Sequence, residues 1–158
     1  MESFKSILES QGVYLTNSIY RNLELMSKSP EFHTHVAFLL DQYNNLLTYK
    51  SNTFYKTDRF PYTQHAEIAT IVNYYTKKSS KSTKSTPKTL LIIQLRSRSF
   101  GASRPCQGCA QFILNNWDNL HLKRVIYSNS GSTFTCLRKR DLQTGDFSPS
   151  RGTVYAHE

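Results

Sequence analysis

The spacing of hydrophobic positions predicts a helix in the first part of the chain. Between Leu15 and Ser27, apolar residues recur at Ile19, Leu23 and Met26, which places them on one helical face. The Ser29-Pro30 pair then ends this helix, because proline cannot continue the helical hydrogen bonding.

Three apolar segments predict strands of a buried sheet. Thr34 to Tyr43 contains the run VAFLL, Asn44-Asn45 supplies a turn, and Leu46 to Tyr49 begins a second strand. Thr89 to Leu95, TLLIIQL, has almost no polar alternation and predicts a central strand.

Four further segments complete the predicted order of elements. They are a helix over His65 to Tyr75, a helix over Cys106 to Trp117, and strands over Arg124 to Tyr127 and Thr133 to Leu137. The resulting order of helix, strand, strand, helix, strand, helix, strand, strand predicts one mixed sheet with helices on its faces. Residues 1–158 are therefore expected to form a single α/β domain.

The segments between these elements are expected to be loops. Thr53 to Gln64 and Arg96 to Arg104 have no clear period, and the end of the chain, 141–158, has the composition of coil. Lys77 to Lys88, KKSSKSTKSTPK, carries five lysines among serines and threonines, and it predicts a mobile loop. Its lysines are compatible with phosphate binding and with simple solvation.

The net charge of +9 indicates either an anionic partner or a highly soluble surface. No apolar run has the length of a membrane span, and the N-terminal sequence MESFKSILESQG lacks the pattern of a secretory signal. We therefore expect an intracellular, cytoplasmic protein without membrane contact. Three cysteines, two of them in a C-x-x-C pattern, favour metal binding over disulfides, and Cys136 is predicted to lie in the core.

Two short motifs carry the chemistry. His65-Ala66-Glu67 and Pro105-Cys106-Gln107-Gly108-Cys109 each stand at the start of a predicted helix. One imidazole and two thiols can hold a single Zn²⁺ with an open fourth position. Glu67 is then free to accept a proton from water and to pass it on, which predicts a catalytic zinc site with Glu67 as general acid and base.

Other interpretations of these motifs compete with the catalytic one. A structural zinc site would need a fourth protein ligand, and a redox C-x-x-C pair would leave His65 and Glu67 without a role. The remaining histidines do not have the spacing of a ligand pair. His33 and His35 are expected to face solvent, His121 lies in a polar connection, and His157 lies near the end of the chain.

At these motifs the sequence resembles the cytidine and deoxycytidylate deaminase superfamily, over about residues 36–137. The resemblance implies a three-layer α/β/α sandwich with a five-stranded mixed sheet, and zinc bound by His65, Cys106 and Cys109. By analogy, Glu67 shuttles protons, and the Ala66 N–H and the Arg104 carbonyl contact the base. Asn52 occupies the place of an asparagine that binds the sugar or base in relatives, although a turn at the strand end explains it as well.

The resemblance also bears on the substrate. Asn52-Thr53-Phe54 departs from the N-x-E string of enzymes that act on free cytidine, and Ala69 departs from an asparagine frequent in deoxycytidylate deaminases. The strings SRPC, starting at Ser103, and VIYSNSG resemble those of cytidylate-type enzymes.

The sequence therefore predicts hydrolytic deamination of cytosine in a nucleotide such as dCMP or in a polynucleotide. Deamination of adenosine in tRNA or another RNA, and a non-catalytic zinc module that binds nucleic acid, are the alternatives. The resemblance further implies a homo-oligomer.

Overall fold

A computed structural model describes residues 4–27, 34–56, 61–78, 86–96, 99–131 and 133–148. The described residues form five helices and eight strands. The helices are α1 (Phe4–Ser10), α2 (Asn17–Ser27), α3 (Ala66–Lys78), α4 (Gln107–Leu120) and α5 (Lys139–Thr144). The strands are β1 (Thr34–Leu40), β2 (Leu46–Ser51), β3 (Thr53–Lys56), β4 (Pro61–Gln64), β5 (Thr89–Arg96), β6 (Ser99–Gly101), β7 (Arg124–Ser128) and β8 (Phe134–Leu137).

The main sheet is mixed, as the order of elements predicted. Its strands follow the order β2-β1-β5-β7-β8, and the short β6 pairs with β5. β5 and β7 are parallel because α4 connects them, whereas β1 pairs with both β2 and β5 in antiparallel fashion. All residues of β5 except Arg96 are buried, which explains the unbroken apolar run in that strand.

Alternate residues of the strands contribute to two separate hydrophobic clusters. Ala37, Leu39, Leu90 and Ile92 pack with residues of α3, α4 and α5, including Trp117. Their neighbours along the strands, such as Phe38 and Leu91, pack with residues of α1 and α2. The period of two in a strand therefore supplies helices with apolar contacts on both faces of the sheet.

The sequence predicted the helices over 15–27, 65–75 and 106–117 to within a few residues. It did the same for the five strands β1, β2, β5, β7 and β8 of the main sheet. Three other expectations were wrong. The segment 53–64, expected to be a loop, contains β3 and β4, which pair as a second small sheet. The predicted loop 96–104 contains β6, and the predicted coil from residue 141 begins inside α5. α1 was not predicted at all.

Two predictions fall partly outside the described residues. α3 continues to Lys78, and the description resumes at residue 86, so most of the lysine-rich segment 77–88 is not covered. The end of the chain is described only as far as residue 148.

Cys136 is exposed, and its predicted place in the core was wrong. It lies on β8, at one end of the sheet, and pairs with the buried Ile126 of β7. Directly paired residues share a face of the sheet. Cys136 therefore lies on the same face of the sheet as Phe134, which packs against the second cluster, but Cys136 itself is not covered.

Candidate metal centre

The two motifs predicted to carry the chemistry lie at the starts of α3 and α4. β4 ends at Gln64 and α3 begins at Ala66, so His65 stands at the junction, where its carbonyl accepts a hydrogen bond from the Ala69 N–H. Cys106 caps α4, and its Sγ accepts a hydrogen bond from the Cys109 N–H at 3.4 Å. The helical spacing puts both cysteines on the side of α4 that faces His65.

His65, Cys106 and Cys109 converge as the sequence predicted. The Nδ1 atom of His65 lies 3.0 Å from the Cys109 Sγ and 3.5 Å from the Cys106 Sγ. The three candidate ligand atoms all lie within 4.8 Å of one another. In a tetrahedral zinc site with ordinary bond lengths, a nitrogen and a sulfur ligand are about 3.6 Å apart. The three side chains therefore fit a metal ion with only small shifts.

Hydrogen bonds distribute the protons unequally among these three groups. The pKa of the Cys106 thiol is lowered to about 3, mainly by a hydrogen bond from the Cys109 thiol and further by His65 and the Cys109 N–H. The pKa of Cys109 is raised, because it keeps the proton it shares with Cys106 and because it is buried. The bond to Cys106 also raises the pKa of His65. A bound cation would displace these protons, since metal ligands bind deprotonated.

Glu67 lies in the first turn of α3 and is 5% exposed. Burial raises the pKa of its carboxyl, while His65 and Cys109 oppose that rise. A carboxyl group with a raised pKa takes up a proton more readily than a solvated carboxylate does, which suits a group that transfers protons. Its carboxyl contacts the Cys109 thiol but is not part of the group of three side chains that could hold a metal ion, which leaves it available for proton transfer.

A cavity of about 250 Å³ opens beside these groups. Three of the residues predicted to contact the substrate, Asn52, Ala66 and Arg104, line it together with Glu67. Asn52 is tied to β1, because its Oδ1 accepts a hydrogen bond from the His35 N–H at 3.0 Å and its own N–H binds the His35 carbonyl. Asn52 therefore ends the strand and also lines the cavity, so both interpretations of this residue agree with its position.

His35 was expected to face solvent, and that expectation was wrong. It is half-buried and lines the cavity together with His65. The alternation along β1 could have indicated this, since His35 has the same parity as Ala37 and Leu39, which face α3 and α4. His33 and His157 lie outside the described residues, and His121 lies beyond the far end of α4.

Arg104 is held at the cavity by the segment Gly145–Ser148, which we name the 145–148 segment. Its guanidinium donates a hydrogen bond to the Asp146 carbonyl at 2.8 Å and lies 4.6 Å from the centre of the Phe147 ring. Phe147 is buried, and the Ser148 carbonyl accepts a hydrogen bond from the first N–H of α4, at Gln107. No pattern in the sequence indicates this segment, whose composition is that of coil.

Sequence reasoning also missed the role of Ser103. Its buried hydroxyl donates to the Ile92 carbonyl at 2.8 Å and accepts from the Ser128 N–H at 2.9 Å. The Ser128 hydroxyl in turn donates to the Gly101 carbonyl at 2.7 Å. These bonds fix the loop before Cys106 to β5 and β7, and so position the first thiol of the site.

Among the described residues, the group of side chains that could hold a metal ion has three members. A structural zinc site closed by a fourth histidine, cysteine or carboxylate therefore finds no support there. One imidazole and two thiolates form a donor set that Zn²⁺ commonly accepts.

No protein-family model matches the chain, and no curated protein matches its sequence. Within the described residues, none of the helices combines the length and the apolar composition that crossing a membrane requires.

Proposed function

We propose that this protein is a zinc-dependent hydrolase that deaminates cytosine, in a nucleotide such as dCMP or in a polynucleotide. The observation that carries the proposal is the convergence of His65, Cys106 and Cys109 at a cavity that the buried carboxyl of Glu67 also lines. Membership of the deaminase superfamily, with its three-layer sandwich and homo-oligomeric assembly, is part of the same proposal.

The cavity beside the metal centre, which we name the site cavity, has a size that supports a small aromatic substrate group. Its volume of about 250 Å³ is below the roughly 300–1,000 Å³ typical of pockets that enclose a whole drug-sized ligand. One pyrimidine ring fits such a space, with the sugar and phosphate left outside. The Ala66 N–H, the Asn52 side-chain amide and the Arg104 carbonyl are the polar groups proposed to hold the ring.

In this proposal Glu67 moves the protons. His65, Cys106 and Cys109 hold zinc, which when bound lowers the pKa of water towards neutrality. Glu67 accepts one proton from the attacking water and delivers it to the ring nitrogen, and it then transfers the second proton of the same oxygen to the leaving amino group. The bond from C4 to oxygen forms, the bond from C4 to nitrogen breaks, and ammonia leaves. Burial of Glu67 favours this role because its raised pKa makes both proton transfers accessible.

The test compares the zinc-loaded protein with its Glu67→Gln variant on dCMP, cytidine, single-stranded DNA and tRNA. Ammonia and the product base are measured, and zinc is counted per chain. We expect uracil from one class of substrate and a loss of about 10²- to 10⁴-fold in the variant, with zinc retained. Glu24→Gln, at an exposed position on α2, is the matched control and should keep full activity.

Two results would contradict the proposal. One is full turnover by Glu67→Gln, and the other is no ammonia from any of the four substrates while zinc remains bound. Detection of hypoxanthine instead of uracil would show that the substrate base is adenine and not cytosine. The role of Glu67 would be unchanged.

A further inference from the structure

A second cavity, of about 400 Å³, lies at the opposite end of α4 from the metal centre. We name it the basic cavity because cationic side chains dominate its lining, which comprises Lys88, Lys123, Arg138, Lys139, Arg140, His121, Asp118, Trp117 and Leu122. Five of these residues are lysine or arginine, and Asp118 is the one carboxylate. Such a lining concentrates positive potential in a concave surface, which favours an anionic ligand.

The fold brings these charges together from three separate segments. Lys88 precedes β5 and Lys123 precedes β7, and the Lys88 carbonyl accepts hydrogen bonds from the N–H groups of Lys123 and Arg124. Arg138, Lys139 and Arg140 come from the start of α5. The lysine-rich segment identified in the sequence ends at Lys88, so its last lysine lies at this cavity.

The cations are largely available to a ligand. Lys123, Arg138 and Arg140 are exposed, and one ion pair lies within the cavity, between Lys139 and Asp118 at 3.2 Å. That pair is weak because the Asp118 side chain is 83% exposed. Exposed and flexible cations suit phosphate groups recognised by charge, and they do not form the fixed hydrogen bonds that a single small ligand needs.

The distance between the two cavities indicates the size of the ligand. Cys106 caps the start of α4 and His121 caps its end, and the 14 residues between them span about 21 Å. In a stacked nucleic acid strand, each nucleotide advances the phosphate backbone by about 3.4 Å along the helix axis. A mononucleotide in the site cavity cannot reach the basic cavity, whereas a strand of about six nucleotides can.

The helix between the cavities offers no electrostatic barrier to such a strand. Asp118 is the one charged residue in the α4 sequence, and it faces Lys139. The exposed positions before it are Gln107, Gln111 and Asn115, whose amides are neutral hydrogen-bonding groups.

We propose that the basic cavity binds the phosphate backbone of a single-stranded polynucleotide whose cytosine occupies the site cavity. The second half of this statement, that a cytosine occupies the site cavity, rests on the proposed deaminase function. The first half, that the basic cavity binds the phosphate backbone, does not. The basic cavity thereby assigns the substrate to the polynucleotide class, because charge contacts about 21 Å from the metal centre favour a strand over dCMP.

The binding test measures affinity for a fluorescent oligothymidylate of about 20 nucleotides, which contains no cytosine and cannot turn over. The distal variant combines Lys123→Gln, Arg138→Gln and Arg140→Gln. We expect its affinity to fall about tenfold at low salt, and the slope of log affinity against log salt to decrease by about 2, as loss of three phosphate contacts predicts.

A matched control removes the same charge from another surface. Arg21→Gln, Lys50→Gln and Lys77→Gln also replace three exposed cations, on α2, β2 and α3. We expect this control to bind the oligonucleotide within about twofold of wild type, because affinity and its salt dependence follow the number of cations that contact phosphates. Equal losses in the two variants would overturn the proposal, because net charge alone would then explain binding. Lys123→Glu repeats the test with a single change.

An RNA oligonucleotide and inorganic phosphate form the other arms of the experiment. Similar losses with DNA and RNA support recognition of the shared backbone. Displacement of the oligonucleotide by millimolar inorganic phosphate would overturn the proposal in favour of a small-anion site.

Turnover tests the second half of the statement. We expect the distal variant to deaminate dCMP at the wild-type rate and to show a raised KM for a cytosine-containing strand. An unchanged KM would overturn the link between the cavities. If the wild-type protein deaminates nothing, the proposed function fails, and the oligothymidylate experiment still decides whether the basic cavity binds a strand.

Discussion

The two ends of α4 carry cavities that are built in opposite ways. At the first turn, buried hydrogen bonds fix the positions of the thiols and of the loop before them, and Glu67 is almost inaccessible. At the last turn, the cavity consists of long exposed cations with one weak ion pair. Fixed buried groups suit chemistry at a single atom, whereas mobile exposed charges suit a repeating polyanion.

The largest expected effect is the loss of the metal while strand binding persists. Cys109→Ala removes a buried thiol from the three-membered ligand group, so we expect bound zinc to fall from one per chain to none, and deamination to fall with it. The affinity for zinc should decrease by more than the roughly 10- to 100-fold that loss of an outer-shell partner costs.

Cys136→Ala is the matched control, because Cys136 is an exposed cysteine on β8. It should retain one zinc per chain. Zinc counted by mass spectrometry, with oligothymidylate affinity measured in parallel, checks both variants. Zinc retention by Cys109→Ala, or loss of strand binding in it, would break the separation between the two cavities.

A smaller effect is expected from the 145–148 segment. Phe147→Ala removes a buried ring beside Arg104, and it should lower the free energy of unfolding by about 3 to 5 kcal/mol. Because the ring and the Asp146 carbonyl hold Arg104, the KM for a cytosine substrate should rise as well. Urea unfolding and steady-state kinetics check the two expectations, and an unchanged KM would exclude the segment from the site.

The buried serine pair should contribute somewhat less. Ser103→Ala leaves the Ser128 N–H and the Ile92 carbonyl without their partner, at a cost of about 1 to 3 kcal/mol. Ser130→Ala, at an exposed position, should be neutral within about 0.5 kcal/mol. Thermal unfolding in the presence of zinc compares the two. Equal stability would show that these bonds do not hold the loop before Cys106.

The smallest expected change in stability concerns the basic cavity. Asp118→Asn removes the exposed ion pair with Lys139, which is worth about 0 to 1 kcal/mol. The same substitution removes the one carboxylate of the cavity, so oligothymidylate should bind more tightly at low salt. Weaker binding by this variant would contradict the assignment of the cavity to a polyanion.

The ligands of the site were predictable from the sequence, but their surroundings were not. His65, Cys106 and Cys109 are identified by residue type and spacing, and the strands that position them follow from apolar runs such as Leu90 to Ile93. Residue periodicity also gives the face of a strand, as it does for Cys136. It does not reveal which neighbouring element covers that face.

The contacts that sequence reasoning missed join distant segments of the chain. Ser103 binds Ser128 across 25 positions, and Arg104 binds Asp146 across 42. Neither pair leaves a local pattern, since serine, arginine and aspartate are typical of loops. The basic cavity is distributed in the same way, so the sequence revealed the net charge of +9 and not its location.

The docking of Ser148 on Gln107 has a consequence for the order of events during synthesis. A ribosome releases His65 first, both cysteines next and the 145–148 segment last. The nascent chain therefore presents a complete set of metal ligands while the start of α4 is still uncovered. Because the three candidate ligands precede the 145–148 segment in the chain, a cation can contact them before Ser148 binds the start of α4.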